Sequence, residues 1–154
     1  MELRHFTSVH SLAQYDFNNN NNLECVDCQN ITSIGAYFAK SCPKIHLYFK
    51  NIVTLSSSAF FDFNGILIEI GDKCTNLKRS SMYGSVQRLV CHATTPPTVA
   101  SDDNYSFSRT IAGIYVPDES VDDYKAAFAW SRKASRIYPL SSYPYPDELL
   151  YLEH

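Results

Sequence analysis

Residues 31–45 read ITSIGAYFAKSCPKI, and this stretch holds one complete copy of a pattern that the chain repeats. The pattern is an aliphatic residue, then a phenylalanine, then a second aliphatic residue. Three copies align, with Val9, Phe17 and Leu23 in the first, Ile34, Phe38 and Ile45 in the second, and Leu55, Phe60 and Ile66 in the third. From Phe17 onward, equivalent positions recur at a nearly constant spacing. Such spacing indicates a repeat protein.

A period in the low twenties is too short for two helices and suits one strand plus one turn or short helix. Each unit then buries its apolar face against its neighbours, so the repeats should stack around one core. Runs rich in β-forming residues follow each turn at 23–28, 45–49 and 66–70, and we expect them to be the stacked strands. Five asparagines at 18–22 predict a solvated turn between Phe17 and Leu23 of the first copy.

The repeat spacing is less regular at its two ends. The step from Val9 to Ile34 is longer than the step from Ile34 to Leu55. Residues 74–77 echo residues 42–45, but they follow the third copy by only half a period. The register between 66 and 90 is therefore left open.

A segment of different composition follows the repeats. Two prolines within 95–98 fix φ and remove backbone donors, so we place a boundary there. Residues 111–116 predict a strand, which a proline ends, and residues 137–140 predict a short returning strand. Prolines at 144 and 146 predict a loose tail.

Between these two strands the sequence predicts a helix that closes the end of the array. Ser120 is expected to cap it through its hydroxyl, and two aspartates follow in the first turn. Val121, Tyr124 and Phe128 stand at i, i+3 and i+7, which predicts one apolar face.

The unit at 31–45 resembles that of BspA-type leucine-rich repeats, a group of bacterial surface proteins. The usual ending of that family is similar to the segments at 91–97, 114–117, 120–127, 130–131 and 134–137. The resemblance covers roughly 5–140. It implies an α/β leucine-rich-repeat solenoid with a C-terminal strand-helix cap, displayed on a bacterial cell surface or secreted.

These patterns divide the chain into a repeat array at 1–95, a capping region at 96–143 and a tail at 144–154. Residues 152–154 resemble the start of a vector-encoded histidine tag and are left out of the fold prediction. We expect a natural export signal, and further repeats, to lie outside this sequence. The first coil, over about 1–20, should then expose its apolar side and is the expected place for self-association.

Charge and hydropathy disfavour two classes of partner. The net charge of −3 gives no basic stripe for nucleic acid and no polybasic membrane patch. No apolar run approaches the length of a membrane-spanning helix. We therefore expect neither nucleic-acid binding nor membrane insertion.

The five cysteines allow three interpretations. The pair Cys25 and Cys28 has the two-residue gap of disulfide and zinc motifs, but no second pair follows at ligand spacing. Cys42 and Cys74 fall in the same apparent repeat slot, and Cys91 ends an apolar run. Buried thiols that fill core positions are the favoured interpretation.

The sequence traces of catalysis are missing. No glycine-rich phosphate loop, paired-histidine helix or nucleophile elbow is present, and we expect no catalytic residues, cofactor or metal. The favoured hypothesis is a non-catalytic binding or adhesion module that recognises a protein or glycan through the repeat face, with His46, Tyr48 and Lys50 as candidate contacts. A structural spacer that carries another domain, and an envelope hydrolase, are the alternatives.

Overall fold

The fold is mixed α/β, with mostly parallel strands and few helices. The computed structural model describes residues 2–3, 11–100 and 110–151. Within these ranges the strands are β1 (Glu2–Leu3), β2 (Ser11–Leu12), β3 (Cys25–Asp27), β4 (Ser33–Ile34), β5 (His46–Phe49), β6 (Thr54–Leu55), β7 (Asn64–Ile70), β8 (Asn76–Leu77), β9 (Ser85–Cys91), β10 (Thr98–Val99), β11 (Thr110–Val116) and β12 (Ile137–Pro139). The α-helix is α1 (Val121–Ala126), and short 3₁₀ turns cover Asp118–Ser120, Trp130–Arg136, Leu140–Ser142 and Pro146–Glu148.

A seven-stranded parallel sheet runs the length of the molecule in the order β1-β3-β5-β7-β9-β11-β12. We call it the long sheet, and each passage of the chain from one of its strands to the next a coil. One row of paired, inward-facing residues crosses it: Val26, Leu47, Ile68, Leu89, Ile114 and Ile137. Every residue in this row is buried in the main core, where it packs against its equivalents in neighbouring coils.

The chain returns through shorter sheets between successive strands of the long sheet. Strands β2 and β4 form one pair, and β6, β8 and β10 form a three-stranded sheet, all parallel. Leu12 pairs with Ile34, a step close to that between Ile34 and Leu55. The first aliphatic position of the repeat is therefore Leu12 and not Val9, which lies outside the described residues. The irregular first step disappears with this assignment.

The same pairing resolves the register left open between 66 and 90. Leu77 pairs with Leu55, so residues 74–77 correspond to the first aliphatic position of the repeat and not to 42–45. Cys42 and Cys74 consequently do not share a slot, although both are buried. The three-stranded sheet also extends past the predicted boundary at 95–98, because Val99 pairs with Leu77.

Aromatic rings fill the core between coils. Phe38 and Phe60 are 0% and 1% exposed, and Phe17 packs against the same cluster. The rings of Phe17 and Phe38 lie 5.5 Å apart edge to face, and those of Phe38 and Phe60 lie 6.4 Å apart. The repeated phenylalanines therefore form one inward-facing column, which we call the phenylalanine column. Ile66, the last residue of the third copy, does not pack in this core. It packs in a second cluster on the opposite side of the long sheet.

The C-terminal cap, formed by β11, α1 and Trp130, is held to the last coils by two buried donors. The Tyr124 hydroxyl donates to the Ala93 carbonyl at 2.7 Å, and the Trp130 indole donates to the Pro97 carbonyl at 2.9 Å. Their rings meet edge to face at 4.9 Å. The predicted strand and helix of the cap are therefore present.

Two details of the predicted helix are wrong. Ser120 stands at the N-cap but makes no side-chain cap hydrogen bond. Phe128 is 61% exposed, because α1 ends at Ala126 and the extended backbone of Ala127 turns the next residue out of the apolar face. The helical spacing that linked Phe128 to Tyr124 does not continue that far.

The five cysteines are free thiols. Cys42, Cys74 and Cys91 lie in the main core together with Cys28, so the interpretation as buried thiols is confirmed. Burial raises the pKa of Cys74 to about 12 and also raises that of Cys91.

Replacing Phe38 by alanine should lower the free energy of unfolding by about 3–5 kcal/mol, because a ring-sized cavity opens between three aromatic neighbours. Chemical denaturation measures this loss. Phe128→Ala is the matched control, and its exposed ring should cost less than about 0.5 kcal/mol. A loss below about 1 kcal/mol for Phe38→Ala would contradict the packing described here.

The Cys74 thiol should make the protein less stable at alkaline pH. Its pKa is raised from 9.0 to about 12 on folding, so above pH 9 the unfolded chain binds fewer protons than the folded one. Its contribution to stability is complete below pH 9 and should fall by up to about 1.4 kcal/mol per pH unit above it. Unfolding free energies of wild type and Cys74→Ala, measured from pH 7 to 11, should run parallel below pH 9, and above it the wild-type values should fall more steeply than those of the variant. Curves that stay parallel to pH 11 would contradict the raised pKa.

Candidate binding face

The long sheet has a second face, opposite the main core. Alternate residues of a strand point to opposite faces, and the row next to the inward one contains Asp27, Tyr48, Glu69, Val90 and Tyr115 in direct register. We call this side the outer face. The side chains of this row are acidic, phenolic and aliphatic, and they do not contribute to the main core. They are therefore available to bind whatever covers the outer face.

The C-terminal residues 143–151 lie across the outer face, and we call them the strap. Tyr143 and Leu149 of the strap are each 6% exposed. They form a second apolar cluster with three residues of the sheet, namely Tyr48, Leu67 and Val90. The prediction of a loose tail is therefore wrong for the described part of this segment, which packs on the sheet.

A buried carboxylate holds the end of the strap. Glu69 on β7 is 0% exposed. Its Oε2 accepts the backbone N–H of Leu150 at 2.8 Å, and its Oε1 accepts that of Tyr151 at 3.1 Å. His92 Nε2 lies 2.7 Å from the same Oε1. Because a buried carboxylate is stable only when its oxygens are bonded, the strap amides are part of what Glu69 requires.

An arginine binds the middle of the strap. Arg88 on β9 donates from Nη2 to Oε2 of Glu148 at 2.9 Å and from Nε to the hydroxyl of Tyr143 at 3.0 Å. Its guanidinium also stacks over the ring of Tyr145, 4.6 Å from the centroid. The Arg88 side chain is only 14% exposed, so this ion pair is better shielded than an ordinary surface pair.

The three predicted contact residues lie near this segment. Tyr48 is buried and donates to the backbone carbonyl of Glu148 at 2.8 Å, and its hydroxyl lies 3.4 Å from Nδ1 of His46. Lys50 is exposed, with its Nζ 5.9 Å from the centroid of the Tyr151 ring. The structure therefore brings His46, Tyr48 and Lys50 together, with Tyr48 covered by the strap.

The phenols at this interface stay protonated at neutral pH. Burial raises the pKa of Tyr48, Tyr143 and Tyr151 above the usual value. The Tyr151 hydroxyl donates to Oδ1 of Asp27 at 3.2 Å. Burial also lowers the pKa of His46. The outer face thus offers neutral donors beside the fixed charge of Arg88.

An open depression of about 550 Å³ lies where the end of the strap meets the sheet. It is lined by Lys50, Gly71, Asp72, His92, Thr94, Leu150 and Tyr151. Glu69 lies behind His92 with both carboxylate oxygens already bonded. The depression is therefore a polar recess in the surface formed jointly by sheet and strap.

Over residues 11–100 and 110–151, no three histidine, cysteine or acidic side chains are grouped so as to hold a metal ion. The helices of these same ranges are all too short or too polar to cross a membrane.

The sequence pattern alone predicts no role for Glu69, Arg88 or the strap. A signal for Glu69 was present, since it is the one charged residue within the apolar run 66–70. The strap offered a weaker signal in Leu149, Leu150 and Tyr151, which are more apolar than a solvated tail requires.

Comparison with known proteins adds no assignment. No family model matches the chain, and no curated protein is significantly similar to it.

Replacing Glu69 by glutamine should release the end of the strap. In the amide one of the two accepting oxygens becomes an NH₂ group, so one of the two strap N–H groups loses its acceptor. We expect a loss of about 2–4 kcal/mol in unfolding free energy and faster hydrogen exchange at the Leu150 and Tyr151 amides. Asp72→Asn is the control, because it makes the same chemical change at an exposed position of the recess. Unchanged exchange at both amides in Glu69→Gln would show that the carboxylate does not hold the strap.

Proposed function

We propose that this chain is a non-catalytic binding module that recognises a polypeptide segment through the outer face of its long sheet. The observation that supports this proposal is that the outer face already binds a polypeptide segment, the strap. Side chains from neighbouring strands converge on it, with Glu69 bonded to two backbone amides, Tyr48 to a backbone carbonyl and Arg88 to a carboxylate. A face that binds main-chain groups in this way has the chemistry for binding polypeptide.

We further propose that the parallel array is a leucine-rich-repeat solenoid of the BspA type. The regular step between paired strands supports this, as do the inward phenylalanine column and the strand-helix cap. A bacterial cell-surface or secreted location, with adhesion as the role, follows from the same resemblance. Polypeptide is favoured over glycan as the ligand because the outer face engages amide and carbonyl groups of a backbone.

Two other roles are less well supported. A spacer that carries another domain would need only the stacked core. That role does not explain why a carboxylate and an arginine are buried on the outer face. An envelope hydrolase would need a base free to act in a recess. The Glu69–His92 pair has the right residue types, but both oxygens of Glu69 are bonded to the strap.

The proposal is tested by probing peptide and glycan arrays with the chain at high concentration. We expect peptides to bind, and we expect Lys50→Glu to weaken binding by at least about tenfold, because it reverses a charge at the edge of the outer face. Lys125→Glu, an equal charge change on the exposed side of α1, should leave binding unchanged. Binding confined to glycans, binding equally sensitive to both variants, or cleavage of the ligand would each contradict the proposal.

A further inference from the structure

The contacts of the strap are all of a kind that a separate peptide can make. They include side-chain bonds from Tyr48, Glu69 and Arg88 and the apolar cluster around Leu149. Residues 143–151 pair with no strand of the long sheet, so the strap is held on the outer face by these contacts and not by a strand ladder.

We propose that the strap is an exchangeable internal ligand, and that the outer face binds in its place a partner peptide of the same chemistry. This inference rests on the proposed function, and it names both the class of ligand and the element that regulates access. The bound strap prevents a partner from reaching the face until it leaves.

The structure defines what the partner peptide must carry. Arg88 requires an acidic side chain, which Glu148 supplies with its carboxylate 2.9 Å away. The next residue must be apolar to fill the place of Leu149 beside Tyr48, Leu67 and Val90. The following two residues must have free backbone N–H groups for Glu69, which excludes proline at the positions of Leu150 and Tyr151.

The segment before the acidic residue has looser requirements. In the strap it contains Pro144 and Pro146, and a 3₁₀ turn over Pro146–Glu148 bonds its own backbone, with the Leu149 N–H donating to the Pro146 carbonyl at 3.0 Å. An aromatic residue five positions before the acid is favoured, because Tyr143 contacts both Arg88 and the ring of Tyr115.

A tethered strap competes strongly with a free peptide. A segment on a short connection has an effective concentration of about millimolar, and the apparent affinity for a competitor falls in proportion to the fraction of open face. The wild-type chain should therefore bind such a peptide weakly, and a chain with a destabilised strap should bind it well.

The test uses the full chain with Glu148→Arg, which places two like charges together at the centre of the strap. The probe is a labelled peptide with the sequence of 143–151, YPYPDELLY. We expect Glu148→Arg to bind it at least about tenfold more tightly than wild type, with one peptide per chain. Asp147→Arg is the control, since the same change at this exposed neighbour should leave binding as in wild type.

A second experiment tests specificity by exchanging the charges of residue 88 and of the peptide residue that replaces Glu148. A chain with Arg88→Glu should bind a peptide that has arginine in place of Glu148 better than it binds the unchanged peptide. Strap release is monitored separately by hydrogen exchange at the Leu150 and Tyr151 amides. If Glu148→Arg fails to open or to fold, Leu149→Asp removes the apolar anchor and repeats the measurement.

The inference is overturned if an opened chain, with fast exchange at both amides, does not bind the peptide. It is also overturned if opened chains pair with each other and the peptide cannot compete, because the occupant is then a second copy. An array ligand that binds wild type and Glu148→Arg equally would leave the proposed function intact and remove the strap as its regulator.

Discussion

Parallel pairing at a constant step along the chain is the constraint on which the middle of this molecule depends. It sets Cys25 beside His46, Leu67 and Arg88 in successive coils, and it does the same for each neighbouring row. Because side chains alternate between faces, one register determines which residues enter the core and which lie outside. The core row and the outer face are therefore two results of the same pairing.

Much of the array could be predicted from local pattern. The inward phenylalanines and the β-rich runs recur at a fixed period, and strands form at or very near the predicted places. Register was harder, because Val9 and Leu12 both offer an aliphatic side chain and only pairing with Ile34 selects Leu12. Phe128 was misplaced for a related reason, since the end of α1 depends on how the cap docks and not on helical spacing alone.

The outer face was only partly predictable. His46, Tyr48 and Lys50 could be proposed because they lie on or beside one strand. Glu69 and Arg88 lie beside these residues only because of how β7 and β9 pair with their neighbours. The local pattern does not determine the register of that pairing between 66 and 90. The strap depends on contacts between residues far apart in the sequence, such as Arg88 with Glu148 and Tyr48 with Glu148. Its prolines resemble those of a solvated tail, and only burial distinguishes the two.

The anchoring of the cap has an optical consequence. Trp130 is the chain's one tryptophan, and it is 1% exposed with its indole N–H bonded to a backbone carbonyl. It belongs to the main core, whereas the strap packs in the separate cluster on the other side of the long sheet. Its fluorescence emission should therefore change when the cap undocks. Release of the strap should leave the emission unchanged, because the sheet separates Trp130 from the strap. The protein carries a native chromophore that distinguishes global opening of its C-terminal end from local rearrangement of its outer face.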